Sequence, residues 1–272
     1  MDVADVLADL LAEQAALDAV VVDLTDEQAQ LPTPADRWTI ADQLSHLTYF
    51  DHNAALAIRD PEAFPATVHA LIEAAAGGDE AVDEFEMGAW RRLPAAELLE
   101  VWREGRSDLE GAARTLGDAD RVAWYGPSMG SKSFLTARLM ECWAHGQDVV
   151  DALRADGAAV DRPATDRLAH IARLGYLTRG WSYINRGMSP PDGDVAVVLD
   201  APSGAVWSFG DSETDRVSGP AEDFCLVVTQ RRHVDDTALE VEGDVARDWM
   251  VRAQAFAGPA TDGPDAKAEE AR

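Results

Sequence analysis

The pair of side chains best placed to do chemistry together is Glu141 and His145. Residues at i and i+4 of a helix face the same way, with Cβ atoms about 5–6 Å apart. A carboxylate and an imidazole so placed can hold one metal ion. Leu135, Leu139, Cys142, Gly146, Val149 and Leu153 form an apolar stripe on the same segment. At about 100° per residue, Glu141, His145 and Asp148 form a polar row beside it. Such a row in a helical bundle points into a wet cavity, although a solvated surface pair has the same spacing. A third ligand must come from elsewhere.

His46 flanks the apolar stripe of an earlier helix, on the side of Gln43 and Phe50. Taken alone it reads as a satisfied core histidine. His52 falls on the opposite flank and is expected to face solvent. His69, His170 and His233 have no partner at a useful helical spacing and are expected at the surface or in local hydrogen bonds. Asp51 sits on the stripe between Leu47 and Ala54, where an unpaired carboxylate would be costly. It is a candidate to orient a ligand, take a proton or meet an arginine.

The elements that must position these groups can be read from periodicity. Val3, Leu7, Leu10, Leu11, Gln14 and Leu17 recur at helical spacing, and Pro32-Thr33-Pro34 breaks the pattern. Thr39 is the expected N-cap of the next helix, with Asp42 three residues on. A further helical stretch is expected over 66–90, interrupted at Gly77-Gly78, and another helix from Pro94. Residues 124–130 read as a loop and about 133–155 as a long helix. Four substantial helices with one long crossover describe a bundle.

Composition changes after Gly157. One more helix is expected over 165–186. Then 195–199 and 205–209 read as a hairpin around Pro202-Ser203-Gly204. Short strands follow near 216–218 and 239–242, and a last helix from about Val245. Residues 221–231 fit helix or strand. The expected fold class is α+β in two domains: a helical bundle over 1–156 and an α/β domain over 157–258. The tail, 259–272, is poor in apolar residues and is expected to be disordered.

The chain has 272 residues, with 23 Lys and Arg against 50 Asp and Glu, for a net charge of −27. A grip on phosphates needs basic stripes, and none is present, so nucleic acid and anionic membrane surfaces are not expected partners. No run of about 18 apolar residues predicts a membrane span. The two cysteines, Cys142 and Cys225, are too few for a disulfide scaffold. With an acidic N-terminus unlike a signal peptide, they point to a reducing cytoplasm.

Two segments carry a resemblance. Trp38-Thr39-Ile40-Ala41-Asp42-Gln43-Leu44-Ser45-His46-Leu47 and Glu141-Cys142-Trp143-Ala144-His145-Gly146-Gln147-Asp148 resemble the DinB-like metal-binding four-helix bundle. More narrowly, they are similar to the actinobacterial mycothiol-dependent maleylpyruvate isomerase group. Residues 219–232 and 249–259 resemble a signature of an uncharacterised branch of that group. The resemblance implies that His46, Glu141 and His145 bind a divalent metal, most often zinc, and that the C-terminal domain is similar to sterol carrier proteins. It also makes residues 177–187 the start of that domain. Among Arg179, Arg186, Arg231 and Arg232, Arg186 is then the candidate to meet an anionic substrate.

Two imidazoles and one carboxylate leave a coordination position open, as in catalytic rather than structural zinc. The resemblance implies that a low-molecular-weight thiol, mycothiol, is activated there and attacks a small electrophile, making a thiol-dependent transferase or isomerase. Two other readings compete: a metal-binding or stress-related module without chemistry, and a metal-assisted hydrolase.

Overall fold

The computed structural model describes residues 1–267. It is a helix-rich α+β protein whose described residues form two compact units, 1–162 and 163–267. Residues 157–162 thus belong with the helical unit.

In the first unit, α1 (Val3–Val21) is capped by Asp2, whose side chain accepts from the Asp5 backbone while Asp5 returns the bond. Its buried positions Val3, Val6, Leu7, Leu10, Leu17 and Val21 follow the helical period. After the short α2 (Asp26–Ala29), α3 (Ile40–Arg59) starts at Thr39, with a reciprocal bond to Asp42. The excursion that follows comprises α4 (Phe64–Ala75) and α5 (Asp79–Met87), with Gly77-Gly78 between them. Then α6 (Ala95–Ala113) leads to a two-stranded hairpin, β1 (Arg121–Val122) and β2 (Met129–Gly130), and to the 25-residue α7 (Ser131–Ala155). The expected loop over 124–130 therefore ends two residues early, in a strand. Leu17, Val21, Leu44, Leu47, Leu98, Trp102, Val149 and Leu153 close a common core between α1, α3, α6 and α7.

In the second unit, the single helix expected over 165–186 is two: α8 (Leu168–Leu177) and α9 (Arg179–Ile184). The break is at Thr178, whose hydroxyl donates back to the carbonyls of Leu174 and Gly175 at 2.8 and 3.1 Å. Four strands follow: β3 (Ala196–Asp200), β4 (Val206–Phe209), β5 (Arg216–Pro220) and β6 (Glu240–Glu242), in the order β4-β3-β5-β6. Val198 pairs antiparallel with Ser208 and parallel with Ser218, and Val217 pairs antiparallel with Val241. Residues 221–228 form α10 (Ala221–Val228), which packs on α8 and the sheet. Gly175 allows that approach, because a Cβ there would lie 2.7 Å from Val228 Cγ2. The last helix is α11 (Asp244–Met250).

The segment expected as a disordered tail is tied down over its described part. Gln230 Nε2 donates to the Thr261 carbonyl at 2.6 Å, and the Lys267 amide donates to Asp236 at 3.1 Å. Polar side chains of the folded unit hold this backbone where apolar anchors are lacking. The rest of the tail, 268–272, lies outside the described residues. Among those described, no helix is long and apolar enough to cross a membrane.

Candidate metal centre

Helix α3 carries His46, and α7 carries Glu141 and His145. Their ligand atoms all lie within 4.8 Å of one another. His145 Nε2 is 3.0 Å from Glu141 Oε2, and the two imidazole centroids are 4.5 Å apart. The side chains of His46, Glu141 and His145 keep 14, 24 and 10% of their surface exposed, so a small molecule can reach them.

Burial pushes the Glu141 carboxyl up, but the hydrogen bond and charge of His145, with Arg138 and His46, outweigh it and hold the group at about 2. It is therefore an anion at neutral pH. Two imidazoles and one carboxylate anion converging in a half-buried site fit a divalent cation of zinc type, with a coordination position to spare.

Around the three side chains stand groups to which sequence reasoning gave no role at the site. His46 Nδ1 lies 3.1 Å from Glu86 Oε2 on α5. His145 Nδ1 lies 2.6 Å from Gln43 Oε1 on α3. Trp38 stands over both rings, at 4.9 Å from His46 and 5.9 Å from His145, and its indole N–H donates to Asp83 at 3.1 Å. Phe50 packs on His46 at 4.6 Å and meets Trp124 and Tyr125 of the 123–128 loop at 6.1 and 5.4 Å. The site is thus walled by aromatic rings. Gln43 had a signal, since it lies three residues before His46 on the same flank. Glu86 had none: it is one of 50 acidic residues, on a separate helix.

Asp51 does not reach the cluster as a ligand. It is buried, accepts from Arg138 Nη2 and Nε at 2.8 and 3.2 Å, and receives Gln14 Nε2 at 3.4 Å. Burial pushes its carboxyl up, against the pull of Arg138. Of the three roles open to it, meeting an arginine is the one the geometry provides. Asp148 is buried rather than solvated.

Arg186 belongs to the second unit. It donates to the carbonyls of Ser182, at 2.6 Å, and of Thr261, and pairs with Asp262 at 3.4 Å. Its donors are engaged within that unit. Arg179 likewise donates to the Gly193 carbonyl at 2.8 Å. One histidine differs from expectation. His52 is half-buried and stacks on Trp90 at 5.8 Å, because α3 is covered on that flank too. His170 is buried inside α8.

The comparisons with known proteins agree with this architecture. Two proteins of Mycobacterium tuberculosis, one from strain CDC 1551 and one from H37Rv, both named as uncharacterized, are each 43% identical over 255 residues. Each match covers 93% of this chain and 95% of the relative. The crystal structure of a mycothiol-dependent maleylpyruvate isomerase superposes with a TM-score of 0.57 at 16% identity. That of its histidine-to-alanine mutant does so with a TM-score of 0.58 at 14%. Both matches cover 88% of this chain and 93% of the other, and at such identities they establish the shared fold. Residues 10–150, more than half of the chain, match the mycothiol maleylpyruvate isomerase N-terminal domain, and the chain belongs to that family.

Proposed function

We propose that the protein binds a divalent metal, most simply zinc, through His46, Glu141 and His145, and works as a thiol-dependent transferase or isomerase on a small electrophile, with mycothiol or a similar thiol as co-substrate. The observation that carries this reading is the convergence of the three ligand atoms within 4.8 Å in a reachable, aromatic-walled site. Membership of the mycothiol maleylpyruvate isomerase family supports the thiol.

When bound, the metal supplies a Lewis acid that lowers the pKa of a ligand in its open position. The chain's own residues do the rest. His46 and His145 hold the cation while adding no charge, and Glu141 adds one negative charge. The three ligands therefore leave the cation itself with a net positive charge with which to attract an anionic sulfur. Trp38, Phe50, Trp124 and Tyr125 exclude water, which strengthens every electrostatic contact in the site. The chain has no thiol for this task. Cys142, next to Glu141, is buried, and burial pushes its thiol up to about 12. The nucleophile must come from solution.

Cobalt-substituted protein tests the reading directly. About one metal per chain is expected in the wild type and far less in His145→Ala. Millimolar mycothiol should produce a sulfur-to-cobalt charge-transfer band. Equal metal content in the two proteins would refute the site. A retained metal with a spectrum unmoved by thiol would leave the metal-binding module or the hydrolase as the function.

A further inference from the structure

An imidazole binds a metal through one nitrogen, and the partner of the other nitrogen decides which. At this site both partners are built in. His46 Nδ1 faces Glu86 Oε2 at 3.1 Å, and a carboxylate only accepts. Nδ1 therefore carries the proton, and the lone pair is left on Nε2.

His145 is set by a longer chain. Thr33 Oγ1 donates to the Trp38 carbonyl at 2.9 Å, so its oxygen accepts from Gln43 Nε2, also at 2.9 Å. That turns Gln43 Oε1 toward His145 Nδ1, which donates across 2.6 Å. The Nε2 lone pair then faces Glu141 Oε2 at 3.0 Å. Two acceptors that close require a cation between them, a proton or a metal ion.

We propose that Glu86 and Gln43 are positioning residues of the metal centre, and that they are unequal. Glu86 fixes the ring of His46 and, through its charge, makes it the stronger donor. Gln43 orients His145 and adds no charge. Helix α5 is then part of the centre. Its buried face carries Glu86 under His46 and, three residues earlier, Asp83 under the Trp38 indole that covers both rings. This inference rests on the metal-centre reading above.

The test is chelator competition for Zn(II), with the visible spectrum of the Co(II) form, on wild type, Glu86→Gln, Glu86→Ala, Gln43→Ala and His145→Ala. Losing either partner should weaken metal binding by about 10–100-fold. Glu86→Gln keeps an acceptor and removes the charge. Its affinity should fall between wild type and Glu86→Ala, and its cobalt bands should stay nearer those of the wild type. A purely structural role would lower the melting temperature of the metal-free protein and leave affinity and spectrum alone. Affinities of the Glu86 and Gln43 variants within twofold of wild type, with metal lost in His145→Ala, would overturn the positioning roles and leave the metal centre standing. Wild-type affinity in Glu86→Gln, with binding weakened in Glu86→Ala, would overturn the charge asymmetry. Wild-type affinity in His145→Ala would overturn the metal centre itself.

Discussion

Among the described residues, the buried carboxylates all lie in the first unit: Glu13, Asp42, Asp51, Asp83, Glu86 and Asp148. The second unit buries His170, Ser182, Thr229 and Gln254 and no acid. Its core is aliphatic and aromatic: Val195, Val197, Leu199, Val217 and Cys225 are buried, and so are Phe224 and Trp249, whose rings meet edge to face. A buried charge is tolerated only when paired, and the first unit meets that condition repeatedly. Glu13 takes Arg162 at 2.6 Å, Asp42 takes Arg91 at 2.7 Å, Asp51 takes Arg138 at 2.8 Å, and Glu86 takes His46 at 3.1 Å. Even Gly146, beside His145, is constrained by this network, since a Cβ would lie 2.7 Å from the Arg162 guanidinium. An apolar core would stabilise a helical unit with less desolvation. Accepting these charges makes sense where a polar site must be held inside the fold.

The contrast can be broken at its most charged point. Asp51→Ala leaves Arg138 buried without its carboxylate, and the expected loss is about 3–5 kcal/mol in chemical denaturation. A cost below about 1 kcal/mol would mean that water already relieves the pair. The matching change in the second unit is Leu199→Ala, at a fully buried strand position. A cavity there should cost about 3 kcal/mol. Metal content, measured on the folded variant, should not change. A metal loss in Leu199→Ala would show that the second unit supports the site.

Much of this division was legible in the residues. Strong 3.6-residue patterns gave the helices that carry His46, Glu141 and His145, because an apolar stripe fixes which flank faces inward. The hairpin of β3 and β4 was legible from alternation and a glycine turn. The partners of the ligands were not. Glu86 meets His46 from a separate helix 40 positions along the chain, and nothing local marks one glutamate among many. Asp51 was visible as a misplaced carboxylate, but Arg138 lies 87 residues away, beyond any helical spacing. The break at Thr178 was missed because a side-chain bond to the preceding turn competes with a helix whose apolar pattern continues through it.

A smaller effect is expected at the rim of the charged unit. Asp18, on α1, receives Arg103 Nη2 and Arg106 Nη2, both at 2.6 Å. Burial pushes its carboxyl up, but the two guanidinium groups more than offset this and hold it below the usual range. A depressed folded pKa means that the stabilisation is present above the unfolded value of about 4 and fades as pH falls through the folded value. Asp18→Asn should therefore cost about 1 kcal/mol near neutrality. The gap from wild type should close on acidification below about pH 4. A gap that is constant from neutral to strongly acidic pH would mean that shape rather than charge is at work.

The smallest effect is an expected absence, and it compares the units through their cysteines. The first unit holds Cys142 and the second Cys225, both buried and neither in a disulfide. Burial pushes the Cys142 thiol up to about 12 and raises that of Cys225 well above its ordinary value. Only a thiolate reacts quickly, so neither should be alkylated at neutral pH while the protein stays folded. Cys142→Ser should leave metal content at the wild-type level, because the thiol packs in the core with Leu98 and Val149 while Glu141 and His145 take the ligand face. Each cysteine then reports the opening of its own unit. In mild denaturant, zinc should slow the labelling of Cys142, since ligand binding stabilises the state that binds it. Cys225 should keep its metal-free rate if the second unit opens separately. Mass-resolved labelling with and without zinc makes the measurement. Rapid modification of Cys142 in the folded protein would show that the core behind the ligand-bearing face of α7 opens without unfolding, and its thiol would no longer report the opening of the whole unit.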